Sequence, residues 1–462
     1  MNITKVLQKK SASVYFIGIK GVGMTMLAQF LAKKGYQVSG SDNPEKFLTD
    51  KVLRSAKIKV WQQFATKNIP KTVDLIVYSS AYTPGNNAEV ALVLKSPRLA
   101  KKALVYAEAL GQVFSHYHGL AVCGSHGKTT TSAWLGFVLQ KAGLSPNVLV
   151  GSRVPQFKGS SLTGKSKYFV AEVDEYQNKL RYFFPQGVVL NNIDYDHPDF
   201  FKTEADYVNV FKEFVKRIPK KGFLVVNSDN DWAAQVAKSC PGKIISYSAL
   251  VVENLRYQGS HQHFYIAGLG DFSISLLGRH NVANALAVIY TALELGVSVK
   301  KIQKYLGEFT GTERRLQVLG KYRGALIIDD YAHHPTEIKA TLEGLRETYP
   351  KKNIITVFHP HTYTRTKALL NDFSQSFGDT NELIVLDIYG SAREKQGGVS
   401  SGDLVKKVIK YNQTLKKKQL VKHIPGLKAA EDYLKKKIKA NDLVILMGAG
   451  DVFRMGEGML KK

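Results

Sequence analysis

Residues 121–131 read Ala-Val-Cys-Gly-Ser-His-Gly-Lys-Thr-Thr-Thr, and this stretch constrains the fold more than any other segment of the chain. An apolar strand pattern leads into a glycine-rich turn, which is followed by a lysine, hydroxyl side chains and a helical pattern. Such a turn directs backbone N–H groups and a helix N-terminus towards one point, which is how proteins hold phosphate groups. The spacing from Gly124 to Thr129 is G-x-x-G-K-T, shorter than that of the common phosphate-binding loop. We predict that Lys128 contacts the β- and γ-phosphates of a nucleoside triphosphate and Thr129 contacts Mg²⁺; the alternative is a structural turn with an unrelated lysine.

The length and the cysteine count limit the class of protein. A chain of 462 residues has room for about three domains of ordinary size. The two cysteines, Cys123 and Cys240, are too few for a disulfide framework, which indicates a reducing compartment. No apolar run reaches membrane-spanning length and no cleavable signal pattern is present. We therefore expect a soluble, cytoplasmic protein.

The chain is strongly basic, with 65 lysines and arginines against 38 acidic residues and a net charge of +27. Most of the excess is lysine, which is a solvated point charge and lacks the planar fork with which arginine binds bases. The densest clusters, Lys416–Lys418 and Lys435–Lys437, lie in helix-like surface patterns. We interpret them as a solvated face, with attraction of small polyanions as the second interpretation, and we expect no nucleic-acid partner.

Apolar, β-branched runs alternate with longer periodic segments along the chain, which is typical of parallel sheets with crossover helices. Fresh units start at 14–19, 120–123 and 325–330, and joints are plausible at 107–118 and 307–324. The predicted fold class is therefore α/β, with three domains and mainly parallel sheets.

The first unit contains a second glycine-rich turn. Gly18, Gly21 and Gly23 have the spacing G-x-x-G-x-G, and Asp42 closes the next strand. This differs from the dinucleotide spacing G-x-G-x-x-G, so NAD is not favoured. A glycine turn at a helix N-terminus still favours a diphosphate ligand, with Asp42 available to a ribose or a base. The alternative is that the glycines only allow close packing of strand and helix.

Acidic residues end the strands that follow the phosphate loop. Glu172 closes one such strand, and the next leads to Asp194, Asp196 and His197. The carboxyl ends of parallel strands meet at the same edge of a sheet, so carboxylates there are expected to hold Mg²⁺, and a neutral His197 to complete a second metal shell. The pair His333-His334 lacks a third ligand at a telling spacing, so we expect no zinc site.

Six motifs follow one another along the chain: Gly-Ser-His-Gly-Lys-Thr-Thr-Thr, Glu-Val-Asp-Glu, Asn-Ile-Asp-Tyr-Asp-His, Gly-Arg-His-Asn-Val-Ala-Asn-Ala, Asp-Asp-Tyr-Ala-His-His-Pro-Thr-Glu-Ile and Met-Gly-Ala-Gly-Asp. Together they resemble the Mur ligase family, in its alanine-adding branch, and the resemblance runs in family order from Gly18 to Asp451.

The resemblance implies a reaction and a domain order. ATP phosphorylates the lactyl carboxylate of UDP-N-acetylmuramate, and L-alanine displaces phosphate from the acyl phosphate to give an amide, a step of peptidoglycan precursor synthesis and so of cell-wall formation, cell shape and division. It implies a Rossmann-like UDP-sugar domain over 1–113, a central ATPase-like domain over 114–315 and a Rossmann-like amino-acid domain over 316–462. The oligomeric state stays open.

The resemblance also implies roles for particular residues. Lys128, Glu172, His197 and Arg365 are the catalytic candidates, and Thr129, Glu172 and His197 are the candidate metal ligands. ATP is assigned to Gly124, Ser125, His126, Gly127, Lys128, Thr129, Thr130, Asn284, Arg315 and Asp330. The UDP-sugar is assigned to Gly18, Gly21, Val22, Gly23, Met24, Asp42, Ser79 and Ser80. The amino acid is assigned to Tyr331, His333, His361 and Arg365.

The chain departs from the family pattern at two places. Thr362 stands where the family usually has an arginine that holds the amino-acid carboxylate, and Leu316-Gln317 replaces Phe-Glu. The nearest alternative is a recycling ligase that adds a whole peptide to the same UDP-sugar. A nucleotide-dependent oxidoreductase and a non-enzymatic nucleic-acid binder are the more distant alternatives.

Overall fold

The computed structural model describes residues 4–9, 11–258, 261–390, 394 and 396–460. Their contacts divide them into two compact units. The first unit contains the described residues up to Asp194 together with Val208–Leu250 and Asn284–Thr310. The second contains the described residues of Tyr195–Tyr207, Val251–Ala283 and Gly311–Lys462. The predicted division at 113 and 315 stays a prediction.

A five-stranded parallel sheet begins the first unit, in the order β3-β2-β1-β4-β5. The order reverses between β1 and β4, which is where open α/β sheets bind ligands. The strands are β1 (Ser13–Ile17), β2 (Gln37–Ser41), β3 (Lys59–Trp61), β4 (Leu75–Tyr78) and β5 (Ala103–Val105). The helices are α1 (Thr4–Gln8), α2 (Val22–Lys33), α3 (Thr49–Ser55), α4 (Ala88–Lys95), α5 (Pro97–Ala100) and α6 (Tyr106–Phe114), with a 3₁₀ turn at Thr66–Asn68.

A seven-stranded sheet follows in the same unit, in the order β12-β11-β10-β6-β9-β7-β8. All neighbours are parallel except β7 and β8, and β6, which carries the phosphate loop, lies at the centre. The strands are β6 (His118–Cys123), β7 (Asn147–Val154), β8 (Gly159–Leu162), β9 (Tyr168–Glu172), β10 (Gly187–Leu190), β11 (Phe223–Asn227) and β12 (Lys243–Tyr247). The helices are α7 (Lys128–Lys141), α8 (Glu204–Val215) and α9 (Asp231–Ala237), with 3₁₀ turns at Pro155–Phe157 and Tyr176–Tyr182.

Helix α2 joins the two sheets of the first unit. It packs between its own sheet and strands β7 and β8 of the next. The buried Gln29 side-chain oxygen accepts hydrogen bonds from the Ser160 N–H (3.1 Å) and the Ser161 hydroxyl (2.9 Å). Lys33 Nζ donates to the Ser161 carbonyl at 3.0 Å. This polar contact fixes the position of α2 against the outermost strand β8.

The second unit contains two sheets. A three-stranded antiparallel sheet comprises β13 (Glu253–Gln258), β14 (His261–Ile266) and β15 (Gly270–Ile274). A six-stranded sheet has the order β16-β17-β21-β18-β19-β20 and is parallel except for the pair β16 and β17. Its strands are β16 (Gln317–Tyr322), β17 (Ala325–Asp330), β18 (Asn353–Phe358), β19 (Glu382–Val385), β20 (Leu420–His423) and β21 (Asp442–Met447).

Helices cover both faces of the six-stranded sheet because its strands are apolar on both sides. One core includes Leu404 and Val408 of α15 (Ser401–Thr414), and the opposite core includes Ala430 and Leu434 of α16 (Leu427–Lys437). The other helices of the second unit are α12 (Pro335–Thr348), α13 (Tyr363–Ala368), α14 (Leu370–Gln375) and α17 (Phe453–Leu460). Helix α11 (Val299–Leu306) belongs to the first unit, and most of α10 (Arg279–Glu294) does as well.

The predicted fold class is confirmed, and the predicted starts of the three units fall on β1, β6 and β17. The helix-like interpretation of Lys416–Lys418 is wrong. Helix α15 ends at Thr414, and Lys416 has a φ of +52°, so these lysines form a turn. In the part of the chain that the structure describes, no helix has the length and apolar character needed to cross a membrane.

Candidate functional site

The phosphate-loop motif forms the turn between β6 and α7. Gly124 has a φ of +125° and Gly127 a φ of +79°, both in the region that favours glycine. A side-chain carbon at Gly124 would lie 2.7 Å from the Asn192 carbonyl oxygen, so the loop has no room for one. Gly127 is the N-cap of α7, and no side chain caps this end of the helix. The first N–H groups of α7 are therefore available to an anion.

Residues that follow β10 hold the loop in place. The Asn192 backbone oxygen accepts from the Ser125 N–H at 3.1 Å, and its side-chain oxygen accepts from the His126 N–H at 2.8 Å. The Ser125 hydroxyl contacts the backbone of Asp194, and His126 Nε2 lies 2.8 Å from the Asp194 carboxylate. These contacts preorganise the loop before any ligand is bound.

Lys128 folds back over this loop. Its Nζ donates to the carbonyl oxygens of Gly124 (2.5 Å) and Ser125 (3.1 Å) and to the Glu175 carboxylate (3.0 Å). Burial disfavours the charged amine, but Glu175 and Asp174 outweigh burial and hold the pKa of Lys128 above its ordinary value. The ammonium group therefore stays charged beside the backbone that is predicted to hold phosphate.

Thr129 and Glu172 come together at the carboxyl ends of β6 and β9. The Thr129 hydroxyl donates to Glu172 Oε1 at 2.8 Å, and the Gly151 N–H donates to Oε2 at 2.6 Å. Hard oxygen donors of this kind suit Mg²⁺, whose ligands lie at about 2.0–2.1 Å in octahedral geometry. Neighbouring ligands of such an ion are about 2.9 Å apart, so the observed pair fits two adjacent positions of a Mg²⁺ shell.

Asn284 lies directly beside the loop in the same unit. Its side-chain oxygen accepts from the Thr131 hydroxyl at 3.2 Å and lies against the bare Cα of Gly127. Asn191 Nδ2 donates to the same threonine oxygen at 3.0 Å, whereas the buried Asn191 Oδ1 has no hydrogen-bond partner in the described structure. A buried acceptor without a donor is costly in a protein interior, so this oxygen can accept from a ligand or from an ordered water. Thr130, which directly precedes Thr131 in the sequence, is buried as well.

The second glycine turn lies between β1 and α2. Gly18 has a φ of +83°, and the Tyr82 ring covers it so closely that a side-chain carbon there would lie 2.6 Å from the ring. Helix α2 starts at Val22 after Gly21, and no side chain caps its N-terminus. Val22 is exposed and Met24 is buried. The uncapped N–H groups at this switch point suit a diphosphate.

Asp42 stabilises this turn through the hydrogen bonds that its carboxylate accepts. Its carboxylate accepts from the Lys20 N–H at 2.7 Å and from the Tyr82 hydroxyl at 3.3 Å, and the residue is buried. Burial raises the pKa of the Asp42 carboxyl, although the backbone hydrogen bond from Lys20 opposes this. Ser79 N–H donates to the Ile17 carbonyl at the end of β1. These partners give Asp42 a role in shaping the turn that the sequence did not indicate.

Ser80 lies beside Ser79, after β4. Its hydroxyl contacts the Gln177 side-chain oxygen at 3.2 Å. Gly23 on α2 approaches Tyr106, so a side-chain carbon there would lie 2.6 Å from the tyrosine hydroxyl oxygen. The first contact reaches the 3₁₀ turn between β9 and β10, and the second reaches the start of α6, which precedes β6.

Asp330 and Arg315 belong to the second unit. Each carboxylate oxygen of Asp330 accepts one backbone N–H, from Leu316 (2.7 Å) and Ala332 (2.7 Å). Burial raises the pKa of Asp330 to about 6, against the opposing charge of Arg315. Arg315 lies 3.6 Å from the Glu337 carboxylate and its guanidinium lies over the Tyr331 ring.

The residues assigned to the amino acid lie together in the second unit. The His333 ring contacts Tyr331 and His361 edge-on, with centroid separations of 5.3 and 6.2 Å, and His361 stacks on Tyr389. Burial, His333 and Arg365 lower the pKa of His361 to about 3. Burial also lowers the pKa of His333, with Arg365 acting in the same direction. Both imidazoles are therefore neutral at physiological pH.

Arg365 makes a bidentate ion pair with Asp196. The Nε–Oδ1 distance is 2.9 Å and the Nη2–Oδ2 distance is 3.2 Å, and both side chains are buried. Nη1 lies 3.4 Å from His361 Nδ1. The next residue after Asp196 is His197, whose φ of +58° is strained for a non-glycine residue. Thr362 is likewise strained, with a φ of +69°.

The structure divides the predicted residues between its two units. The first unit holds the phosphate loop, Thr130, Glu172, Asn284 and the N-terminal turn; the second holds His197, Arg315, Asp330, Tyr331, His333, His361 and Arg365. Lys20 and Glu175 make polar contacts to site residues but were given no role by the sequence patterns, and Asp196 was expected near Mg²⁺ and not as the partner of Arg365. Their signal was present in the sequence as charged residues directly after apolar strands, but their partners were not.

The chain is similar to known proteins along nearly its whole length. Three family models match the chain: the Mur ligase family catalytic domain at residues 13–118, the Mur ligase middle domain at 122–292 and the Mur ligase glutamate ligase domain at 314–450. A UDP-N-acetylmuramate–L-alanine ligase from Desulfitobacterium hafniense is 37% identical over 457 residues, which cover 97% of this chain and 99% of the relative.

Two solved structures have a similar fold. The UDP-N-acetylmuramate-alanine ligase of Thermotoga maritima superimposes with a TM-score of 0.78 at 22% identity, covering 97% of this chain and 98% of the other. A murein peptide ligase from Psychrobacter arcticus superimposes with a TM-score of 0.70 at 23% identity, with the same coverage.

Proposed function

The chain belongs to the Mur ligase family, and we propose that it joins L-alanine to the lactyl carboxylate of UDP-N-acetylmuramate at the expense of ATP. The observation that supports this most directly is the near full-length similarity to UDP-N-acetylmuramate–L-alanine ligases, combined with the preformed loop around Lys128. The reaction passes through an acyl phosphate and gives an amide, ADP and phosphate. We also propose domain boundaries at residues 113 and 315.

The phosphate loop is proposed to bind ATP. Its glycines leave the backbone N–H groups accessible, and the start of α7 adds the positive end of a helix. Lys128 is held charged at the same point, where it stabilises the negative charge that develops on the transferred phosphoryl group. For Asn284 as a contact of adenine, and for Arg315 and Asp330 as contacts of phosphate and ribose, the family resemblance is the supporting argument.

Thr129 and Glu172 are proposed to hold Mg²⁺. When bound, the ion supplies a charge that neutralises phosphate oxygens. The chain's own contribution is to orient the two ligands: Gly151 N–H fixes one Glu172 oxygen and leaves the other towards Thr129. For His197 as a ligand of a second ion, the family resemblance is the supporting argument.

The N-terminal turn is proposed to bind the diphosphate of UDP-N-acetylmuramate. Gly18, Gly21 and Gly23 bring the backbone close to the ligand at the switch point of the first sheet, beside Ser79 and Ser80. Asp42 is proposed to contact the ribose or the base of the UDP-sugar, and its hydrogen bond from the Lys20 N–H also holds the turn.

The amino acid is proposed to bind beside Tyr331, His333 and His361. Arg365 is the buried cation beside these residues, but Asp196 accepts from its Nε and Nη2, and Nη1 has only long contacts to His361. Nη1 is therefore the nitrogen proposed to donate to the amino-acid carboxylate. Because the His333 and His361 imidazoles are neutral, they do not compete with the Arg365 guanidinium for the amino-acid carboxylate.

The test is an amide-forming assay with the purified full chain, ATP, Mg²⁺ and UDP-N-acetylmuramate, offered a panel of amino acids and the tripeptide of the recycling reaction. We expect phosphate release and a UDP-N-acetylmuramyl-alanine product by mass spectrometry with L-alanine. Faster turnover with the tripeptide than with any amino acid would replace the proposal by the recycling ligase. No turnover with any acceptor would reject both.

A further inference from the structure

The positive charge of the chain is concentrated near its C-terminus. Residues 401–440 contain 12 lysines, no arginine and three acidic residues, so a third of the net charge of +27 lies on less than a tenth of the chain. The proposed reaction uses none of these lysines. Their concentration therefore calls for a separate explanation.

Six of these lysines lie on one structural feature, which we name the α15 face. It comprises the exposed side of α15 and the turn that follows, up to the start of β20. All six side chains are exposed: Lys406, Lys407, Lys410, Lys416, Lys417 and Lys418. Lys406 and Lys410 are one helical turn apart and so point in the same direction.

Acidic side chains do not neutralise the α15 face. Among the described residues, no carboxylate forms an ion pair with any of the six lysines. Asp403, the acidic residue of α15, bonds to Ser400 in the cap of the helix, and its charge acts on Lys406 without forming an ion pair. Lys407 and Lys417 contact the neutral oxygens of Asn371 and Gly378. By contrast, α16 pairs Lys428 and Lys435 with its own acids on the other face of the sheet.

The same face exposes large apolar side chains. Ile409 is 40% exposed, Leu415 56% and Leu420 43%. Lysines alone are enough to make a surface soluble in water. A surface that enters the headgroup region of a bilayer combines basic side chains with exposed apolar side chains, as this face does. Lysines at the boundary bind anionic headgroups, and apolar side chains enter the acyl region.

We propose that the α15 face binds the surface of a membrane rich in anionic phospholipid, peripherally and reversibly. Nucleic acid fits less well, because the segment has no arginine for bidentate contacts with bases or phosphates. At 0.1 M salt, the attraction between these lysines and anionic headgroups is screened beyond about 10 Å, and higher salt shortens this range further. We therefore expect binding to weaken as the salt concentration rises.

The experiment is sedimentation of the full-length protein with vesicles. Equal parts of phosphatidylglycerol and phosphatidylcholine are compared with phosphatidylcholine alone, at 0.1 M and 0.5 M salt. We expect the protein to sediment with the anionic vesicles at low salt, and to stay in the supernatant with neutral vesicles or at high salt.

Two triple variants locate the surface. Lys406→Glu, Lys410→Glu and Lys416→Glu together should weaken vesicle binding at least tenfold, since each lysine near an anionic surface contributes about fivefold. Lys220→Glu, Lys221→Glu and Lys300→Glu change the net charge equally at exposed positions of the first unit and should weaken binding much less. Leu415→Ser should weaken binding with no change of charge. If the first triple variant does not fold, as judged by thermal unfolding, the same lysines are changed to glutamine.

Three results would overturn the proposal. They are absence of binding to anionic vesicles, equal losses in the two triple variants, and tighter binding to single-stranded RNA than to vesicles through the same lysines. Amide formation is measured alongside and should be unchanged in all variants, so a failure of the membrane proposal is separate from a failure of the proposed reaction.

Discussion

The carboxylate of Asp196 takes up two of the donor directions of the Arg365 guanidinium, although the two residues are 169 positions apart in the chain. The pair is buried, so each charge depends on the other for the solvation that it has lost. Arg365 raises the stability of the charged carboxylate and holds the pKa of Asp196 well below its ordinary value, against the effect of burial. The pair therefore contributes to the stability of the second unit. It also determines which N–H groups of the Arg365 guanidinium remain available to an amino-acid carboxylate.

Removing the Asp196 charge should destabilise the protein in a pH-dependent way. Asp196→Asn leaves Arg365 buried without its anion, and we expect a loss of about 3–5 kcal/mol in unfolding free energy at pH 7. The depressed pKa means that this stability is present above about pH 4, the unfolded value, and is lost as the pH falls through the lower folded value. Denaturant unfolding from pH 3 to 7 should show the difference from the unmodified protein shrinking at low pH. Asp199→Asn, at an exposed site in the same loop, is the control. A loss below about 1 kcal/mol at pH 7 would contradict this role.

The buried neutral state of His361 predicts a second pH effect. The pKa of His361 is about 3 in the folded protein and about 6.5 in the unfolded chain. Between these two pH values the unfolded chain binds a proton at this histidine and the folded protein does not. The stability contributed by this group is present above about pH 6.5 and falls as the pH drops towards 3. His361→Gln should therefore flatten the loss of unfolding free energy between pH 6.5 and 4, whereas the same change at exposed His116 should not. Parallel profiles for the two variants would argue against a depressed pKa.

Removing the Lys128 charge should abolish turnover without unfolding the protein. We expect Lys128→Ala to lower phosphate release by about 10²-fold or more, because the charge faces developing negative charge and contributes mainly to the transition state. Lys141→Ala, in the last turn of the same helix, is the matched control and should keep normal rates. Near-normal release from a folded Lys128→Ala protein would remove the assignment of the loop.

The Mg²⁺ requirement tests the pair of Thr129 and Glu172. Thr129→Val removes a hydroxyl ligand, and Glu172→Gln removes the negative charge of the carboxylate. Each should raise the Mg²⁺ concentration that gives half-maximal rate, whereas Thr129→Ser keeps the hydroxyl and should not. His197→Ala is expected to raise the requirement as well. Unchanged Mg²⁺ titrations in the Thr129→Val, Glu172→Gln and His197→Ala variants would leave the metal without its proposed ligands.

Restoring an arginine at position 362 tests how the acceptor binds. Because Asp196 already engages Arg365, the chain offers an amino-acid carboxylate little cationic contact, and L-alanine should have a high KM. A charge-assisted hydrogen bond contributes about 1.5–3 kcal/mol, so Thr362→Arg should lower KM by about one to two decades with little change in kcat. Thr362→Gln places a longer but neutral polar side chain at the same position, and so separates the effect of charge from the effect of size. An unchanged KM in the arginine variant would place the acceptor carboxylate elsewhere.

The local parts of the site could be predicted from sequence, and the long-range parts could not. The loop around Gly124 and Gly127 depends on the special backbone angles of glycine and on a strand and helix that adjoin it, so its motif contains the necessary information. The partner of Arg365 is chosen by tertiary packing, and no local pattern encodes it. Asp42 as a ligand contact stays a prediction, whereas its hydrogen bond from the Lys20 N–H depends on how the turn folds and could not be predicted from the pattern.

The lysine clusters illustrate a further limit of pattern-based prediction. Lys416–Lys418 has the composition of an exposed helix, but α15 stops at Thr414, and the following residue serves as its cap. Runs of one charge contain no periodicity that would distinguish a helix from a turn.

The hydrogen bonds from Ser160 and Ser161 to Gln29 also matter for solubility. Strand β8 is the border of the seven-stranded sheet, and a border strand with free N–H groups is a template for pairing with other chains. Gln29 takes up one of those donors, and Lys33 takes up a carbonyl. The helix of the first sheet thus shields the second from intermolecular strand addition. A fragment that began after α6 would keep every strand of the seven-stranded sheet and still be prone to aggregate through β8.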